Sequence, residues 1–194
     1  MDFPQLFAQR YDALTNFWLA GIWDMVPHDL MRQRPHPRIN SIAWILWHMI
    51  RVEDAGLSRF AADLPQVLDA GDWMPKIKVP WRHNGNDMTL PEVDELSRQV
   101  DLEALHAYAE AVQVRTRAVV SQLTSERLDE TLGRDRLQTI LVTEGLAHSA
   151  PEALLLNYLG WTVGKAVLNF GLTHPYQHLG EIDVIATLLG VDFG

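Results

Sequence analysis

The chain contains no cysteine, which excludes a disulfide framework, a cysteine-built zinc ribbon and a thiol nucleophile supplied by the protein itself. Any metal must then sit on nitrogen and oxygen ligands, and any thiol chemistry needs a thiol carried in by a ligand. Basic residues are scarce: 16 Lys and Arg face 25 Asp and Glu, for a formal charge of −9. Non-specific binding to nucleic acid or to an anionic membrane normally takes clustered cations. The one local cluster, Arg32, Arg34 and Arg38, is interrupted by prolines, so no nucleic-acid partner is expected. Long apolar runs are missing as well. The most apolar stretch, 152–172, holds Asn157, Thr162, Lys165 and Asn169, which is too polar for a membrane span and suits a buried helix. Met1-Asp2-Phe3-Pro4 has no basic segment leading into an apolar one, so no signal peptide is expected and the chain reads as cytoplasmic.

What the sequence does have is helical periodicity, over a length of 194 residues that suits a single domain, 1–194. A first helix is expected from Pro4 to Met25, capped by Asp2, with Leu6, Phe7, Arg10, Tyr11, Leu14, Phe17, Trp18 and Ile22 as its inner stripe. A second begins at Asn40 or Ser41 and runs to Ala62. From Ile42 to Ile50 it is apolar on nearly every face, His48 excepted, which places it at the centre of a bundle or under a second subunit. Residues 63–90 read as a long crossover loop, padded by its own aromatics, or as a lid; the two are compatible. A third helix, in one or two pieces, spans 91–123, with Leu102, Leu105, Tyr108, Ala109, Val112, Thr116 and Val119 inward. Residues 124–148 are the least readable, with one short helix at 136–146. A fourth helix is expected from Pro151, capped by Ser149, to Phe170. Gly171 should break it, and Thr173 should cap a fifth from His174 to Leu189. No strand is convincing. The expected fold is all-α: a four-helix bundle with a long crossover loop and short extra helices.

Eight histidines occur, and three of them stand out. His28, His36 and His83 fall in expected loops, and His106 and His148 near a helix surface or end. His174 and His178 lie four apart, so both leave one face of a helix. Taken alone, that spacing fits ordinary polar or capping histidines as well as metal ligands. His48 has Trp44, Ile45, Val52 and Ala55 as helical neighbours and points into the bundle, where a polar ring needs a partner. Three inward imidazoles from two helices satisfy one another through a divalent metal and leave coordination positions open, the mark of a catalytic rather than a closed structural site. Imidazole sites accept zinc, nickel, iron and copper alike. Glu181, one turn past His178, is the candidate to orient a ligand ring, take a proton or bind the metal; it equally suits a first-turn acid favoured by the helix dipole. Glu53 and Asp54 are expected to face solvent or cap a neighbour. Trp47, Trp81 and Tyr176 are candidates to line a pocket, with core packing the stronger reading for Trp47. Competing motifs fail. H-E-x-x-H, G-x-S-x-G and a phosphate-binding glycine loop are absent. A ferritin-type di-iron bundle needs two E-x-x-H motifs, and only Glu103-Ala-Leu-His106 fits.

The run Asn40-Ser41-Ile42-Ala43-Trp44-Ile45-Leu46-Trp47-His48-Met49-Ile50-Arg51-Val52-Glu53-Asp54, followed by His174-Pro-Tyr-Gln-His178-Leu-Gly180-Glu181-Ile182, resembles the DinB-like superfamily, which includes YfiT-type proteins and mycothiol-dependent enzymes. The likeness is weakest over 63–90 and 124–150. It implies an up-down-down-up four-helix bundle, often dimeric, with a divalent metal (zinc, nickel or iron) on His48, His174 and His178. It also implies a transferase using an external low-molecular-weight thiol, or a hydrolase. The rival expectation is a non-catalytic metal- or small-ligand-binding protein acting as a sensor or stress-response partner. Pro175 departs from the pattern and should confine H-x3-H to a first helical turn. A two-fold homodimer is also expected, because Trp44, Trp47, Leu155, Leu159 and Trp161 cannot all point into one interior, unless the 63–90 loop covers the excess.

Overall fold

The computed structural model describes residues 2–193 and is built on four long helices, here α1 to α4. Helix α1 comprises Phe3–Ala13, a π-helical turn Leu14–Leu19, and Ala20–Met25, with helical dihedrals through both junctions. Asp2 accepts from the Gln5 amide at 2.9 Å while the Gln5 side chain receives the Asp2 amide, so two of the orphan donors at the helix start are satisfied. The π turn has a cost for sequence reading: its wider repeat delays the phase of every later residue. Leu19 therefore packs on the core, while Phe17 and Trp18 are left 69% and 53% exposed. Of the expected inner stripe, Phe7, Tyr11, Leu14 and Ile22 are buried; Leu6 and Arg10 join Phe17 and Trp18 outside.

Helix α2 comprises Ile42–Ala55 and a π-helical turn Gly56–Ala61, and opens with Ser41 Oγ accepting from the Trp44 amide. Every residue of Ile42–Ala55 is buried, as its all-round apolar character demands. Part of the cover is the 63–90 connection. It carries the short helices Val67–Ala70 and Trp73–Ile77, places Gly85 against the Trp47 and Trp44 rings, and brings Met88 Sδ to the Trp44 indole nitrogen. A further helix, Leu90–Gln99, precedes α3, Leu102–Ser121. Extended backbone at Val100 separates the two, and Asp101 caps the second.

Contacts set the helix directions. Ser41 bonds Ser97 just before α3, and farther along Asp54 meets Tyr108 and Glu53 meets Thr116, so α2 and α3 run parallel. Parallel neighbours cannot be joined by a tight turn, and the 63–90 segment is the crossover this requires. Trp23 stacks on His106 while Arg117 reaches Asp12, so α1 opposes α3. Helix α4 opposes α2: its residue Phe170 abuts Gly56 and its residue His174 meets His48. The order is the expected up-down-down-up.

Helix α4 is where expectation and structure part. It runs unbroken through Val163–Leu168, a π-helical turn Asn169–Thr173 and His174–Leu188. Thr162 caps it through the Lys165 amide. Pro151–Tyr158 is a separate short helix, ended ahead of Gly160 at φ +80°, and Ser149 bonds Asp87 rather than capping it. Thr173 is itself helical (φ −60°, ψ −48°) and caps nothing. Gly171 does not break the helix; a Cβ there would lie 2.7 Å from Phe7 Cζ, so the glycine allows α1 to approach. Pro175 lacks the amide that would pair with the Gly171 carbonyl, and its ring would press on that carbonyl in a regular helix. The π turn immediately before it widens the backbone at that place, so H-x3-H sits in mid-helix and not at a helix start. Residues 124–150 form the short helices Ser125–Asp129 and Arg134–Gln138, the latter continued by a π turn, Thr139–Thr143. Among the described residues no strand occurs beyond one isolated bridge, Thr131 to Thr162, and no helix is long and apolar enough to cross a membrane.

Both acidic residues of α2 are buried, Glu53 against expectation and Asp54 in the capping role that was one of the two expected. Asp54 is 1% exposed and does cap a neighbour, receiving the Val67 and Leu68 amides. Glu53 is buried between Tyr11 and Thr116, both of which donate to its Oε1. Burial pushes its pKa from 4.5 up to about 7 and the nearby Asp54 adds to the rise, against the opposing hydrogen bonds. A raised folded-state pKa means full stability below the unfolded value, lost as pH climbs through the folded one. Stability should therefore fall by roughly 3 kcal/mol between about pH 4.5 and 7 through this residue. In Glu53→Gln that fall should vanish from urea titrations run across the window; an unchanged pH slope would show that Glu53 ionises as readily folded as unfolded.

Candidate metal centre

His48 sits midway along α2, 4% exposed, its ring stacked 4.9 Å from that of Trp44, one turn earlier. His174 and His178 leave one face of α4 and meet it. His174 Nε2 lies 3.1 Å from His48 Nε2 and 3.2 Å from His178 Nε2, and one ligand atom from each ring falls within 4.8 Å of the others. Nitrogens about 2.0–2.1 Å from one tetrahedral zinc stand roughly 3.3–3.4 Å apart, so the spacing is close to that of a shared ion.

The outer nitrogens fix the tautomers. His48 Nδ1 lies 2.5 Å from the Asn84 carbonyl, which can only accept, so this nitrogen carries the proton. His178 Nδ1 lies 2.8 Å from Glu181 Oε2 and donates in the same way. With Nδ1 taking the proton, the neutral form of each ring turns a lone pair at Nε2 toward His174. Two lone pairs converging on one nitrogen cannot both be satisfied by its single proton, and a cation between the three rings resolves this. His174 Nδ1 is buried without a partner. Burial lowers the pKa of His48 to about 4 and that of His174 to about 3, with the neighbouring histidines pushing the same way, so both stay neutral, as ligation requires. The donor set of three imidazoles fits zinc, nickel or iron. His178 is 14% and Glu181 56% exposed at the side chain, so the centre faces solvent on the α4 side.

Other candidates fall outside it. Trp47 is fully buried core, Trp81 packs near His83, and Tyr176 donates to the Arg10 carbonyl on α1. His83, expected in solvent, is buried beside His148. Sequence reasoning missed Asn84, because its contribution is a backbone carbonyl that any residue type could supply; the neighbouring glycine was the only hint.

Residues 18–182 match the DinB superfamily. Among curated proteins no relative matches the sequence. A crystal structure described as the conserved protein of a locus from Enterococcus faecalis is similar in fold, with a TM-score of 0.72 at 17% identity over 98% of this chain and 99% of that one.

Proposed function

The chain belongs to the DinB superfamily, and from that premise we propose that it is a metal-dependent enzyme holding one divalent ion on His48, His174 and His178. The observation that supports this most is the pair of anchored Nδ1 positions, which leave lone pairs aimed at a common point. A divalent metal there supplies Lewis acidity that ionises a water or an incoming thiol near neutral pH. The protein's own residues do the rest. Asn84 and Glu181 hold two ligand rings in the tautomer that leaves Nε2 free. Trp44 packs one face of the His48 ring and limits its rotation. Glu181, bonded to the outer nitrogen of His178, acts by orienting that ring. Without cysteine, a transfer reaction draws on an external low-molecular-weight thiol; without that thiol, the same centre serves hydrolysis.

One observation favours a second reading, that of a non-catalytic metal- or ligand-binding protein. A cleft of about 450 Å³, lined in part by His28, Arg32, Lys78 and Arg98, lies at the start of α3 and includes none of the three histidines. Zinc-, nickel- and iron-loaded protein should be screened against a nitrophenyl ester and an electrophilic aryl halide, with and without glutathione. Turnover lost on chelation and restored by metal supports the enzyme; tight metal binding with no turnover supports the second reading.

We further propose a homodimer, on a different surface from the one first expected. Trp44, Trp47 and Leu155 are buried within the single chain, the first two beneath the 63–90 connection. Leu159 stays 41% exposed and Trp161 half-buried, and the exposed apolar side chains also include Phe17, Trp18 and Met25 on α1 with Val184 and Leu188 on the adjacent α4, which we propose a partner covers. Light scattering at micromolar concentration should give twice the chain mass of 22.0 kDa; a mass equal to one chain rejects the dimer.

A further inference from the structure

The Asn84 carbonyl reaches His48 from a segment remote from both metal-bearing helices, and its aim depends on how the 82–86 turn is seated. Hydrogen bonds hold that turn, among them the Met88 amide to the Gly85 carbonyl at 3.2 Å. Arg51 Nη2, fully buried on α2, donates to the Arg82 carbonyl at 2.7 Å. The Asn84 amide donates to the Leu146 carbonyl at 3.2 Å. The Gly85 amide donates to His83 Nδ1 at 3.0 Å, and the Asn86 amide to Asn84 Oδ1 at 3.1 Å.

Between these bonds lies Gly85, at φ +91°, where a Cβ would fall 2.5 Å from Trp47 Cζ3 and 3.2 Å from Trp44 Cζ2. Trp44 stacks on the His48 ring, while Trp47, fully buried, meets His83 edge-on. The backbone at residue 85 thus rests on the ring that stacks on the ligand and on the core indole beside it. A side chain there meets an unfavourable backbone region and a clash together, and both are relieved by lifting the turn, which withdraws the Asn84 carbonyl from Nδ1.

We infer that Gly85 is a positioning residue for the metal centre: by letting the turn lie on Trp44 and Trp47, it sets the carbonyl that fixes His48's tautomer. This rests on the metal reading given above. The α2–α3 crossover then belongs to the site, and metal binding and seating of the turn strengthen each other by the same factor.

The test is cobalt(II) affinity, measured by chelator competition, for the unaltered protein, Gly85→Ala and Asn84→Ala, each checked for native helix content. Loss of an outer partner of a ligand histidine typically weakens metal binding 10–100-fold, and Gly85→Ala should fall by about that factor with an altered cobalt visible spectrum. Asn84→Ala keeps the carbonyl but loses the Oδ1 acceptor of the Asn86 amide, and should weaken binding less than Gly85→Ala. A glycine needed only for packing would lower Tm and leave affinity and spectrum unchanged, and that result overturns the inference. Should Gly85→Ala not fold, amide exchange of the unaltered protein decides. Zinc should slow exchange at 84–86 and not at the start of α1, and equal exchange with and without zinc overturns the inference. If the unaltered protein binds no metal, the metal reading itself falls.

Discussion

Replacing His48 or His178 by alanine is expected to abolish metal uptake while leaving most of the helix signal in place. Each variant removes one of the three proposed ligands. Because loss of even an outer partner costs 10–100-fold, loss of a ligand should cost more than about 100-fold. The fold does not rest on the ion. Helix α2 is packed on all sides by apolar neighbours, and large buried clusters around it involve Ile45, Leu46, Leu105 and Tyr108 on one side and Phe60, Leu141, Val167 and Phe170 on the other. Equilibrium dialysis against zinc, with far-UV circular dichroism on the same samples, reads both halves of the prediction. If chelation alone unfolded the unaltered protein, the ion would be structural, as in a zinc finger, and the catalytic reading would weaken.

Asp54→Ala should be the most damaging single change to stability, on the order of 3–5 kcal/mol, because it strips a buried charge of its partner. Asp54 collects Tyr108 Oη at 2.6 Å, the Val67 and Leu68 amides at 2.8 and 2.9 Å, Ser58 Oγ at 3.0 Å and Arg51 Nη1 at 3.4 Å. Both charged side chains of the pair are 0% exposed. Without the carboxylate, the guanidinium keeps Tyr108, Gln66 and the Arg82 carbonyl but loses its counter-charge, and the short helix at Val67 loses its cap. By contrast, the Lys78–Asp101 pair is 62% and 32% exposed, where such bridges contribute about 0–1 kcal/mol. Urea denaturation of Asp54→Ala and Lys78→Ala should separate the two cases clearly. A loss below about 1 kcal/mol for Asp54→Ala would mean that the neutral acceptors alone compensate Arg51.

How much of this was legible follows from where the information lay. The inner face of α3 was readable in full, since a regular helix keeps phase: Leu102, Leu105, Tyr108, Ala109, Val112, Thr116 and Val119 are all buried. Ser41 and Asp2 cap as their side-chain chemistry predicts. The three histidines were legible because a polar ring on an apolar helix demands a partner. Features that depend on backbone geometry were not. The π turns at 14–19 and 169–173 leave no residue signature, yet they turn Phe17 and Trp18 outward and carry α4 straight through Gly171, Thr173 and Pro175. Gly171 carried two meanings, helix breaker and close-approach site, and only the position of Phe7 distinguishes them. For Glu53 and Asp54 charge argued for solvent or a cap; Asp54 does cap, but the burial of both rests on Tyr11, Thr116 and Tyr108, which lie 42 to 63 residues away.

The metal centre itself is tested most directly by the anomalous scattering of crystals grown with zinc. The predicted result is one peak per chain, about 2.0–2.2 Å from Nε2 of His48, His174 and His178. An ordered structure with no peak among these rings, or with the rings spread more than about 8 Å apart, beyond the reach of any shared ion, would contradict it.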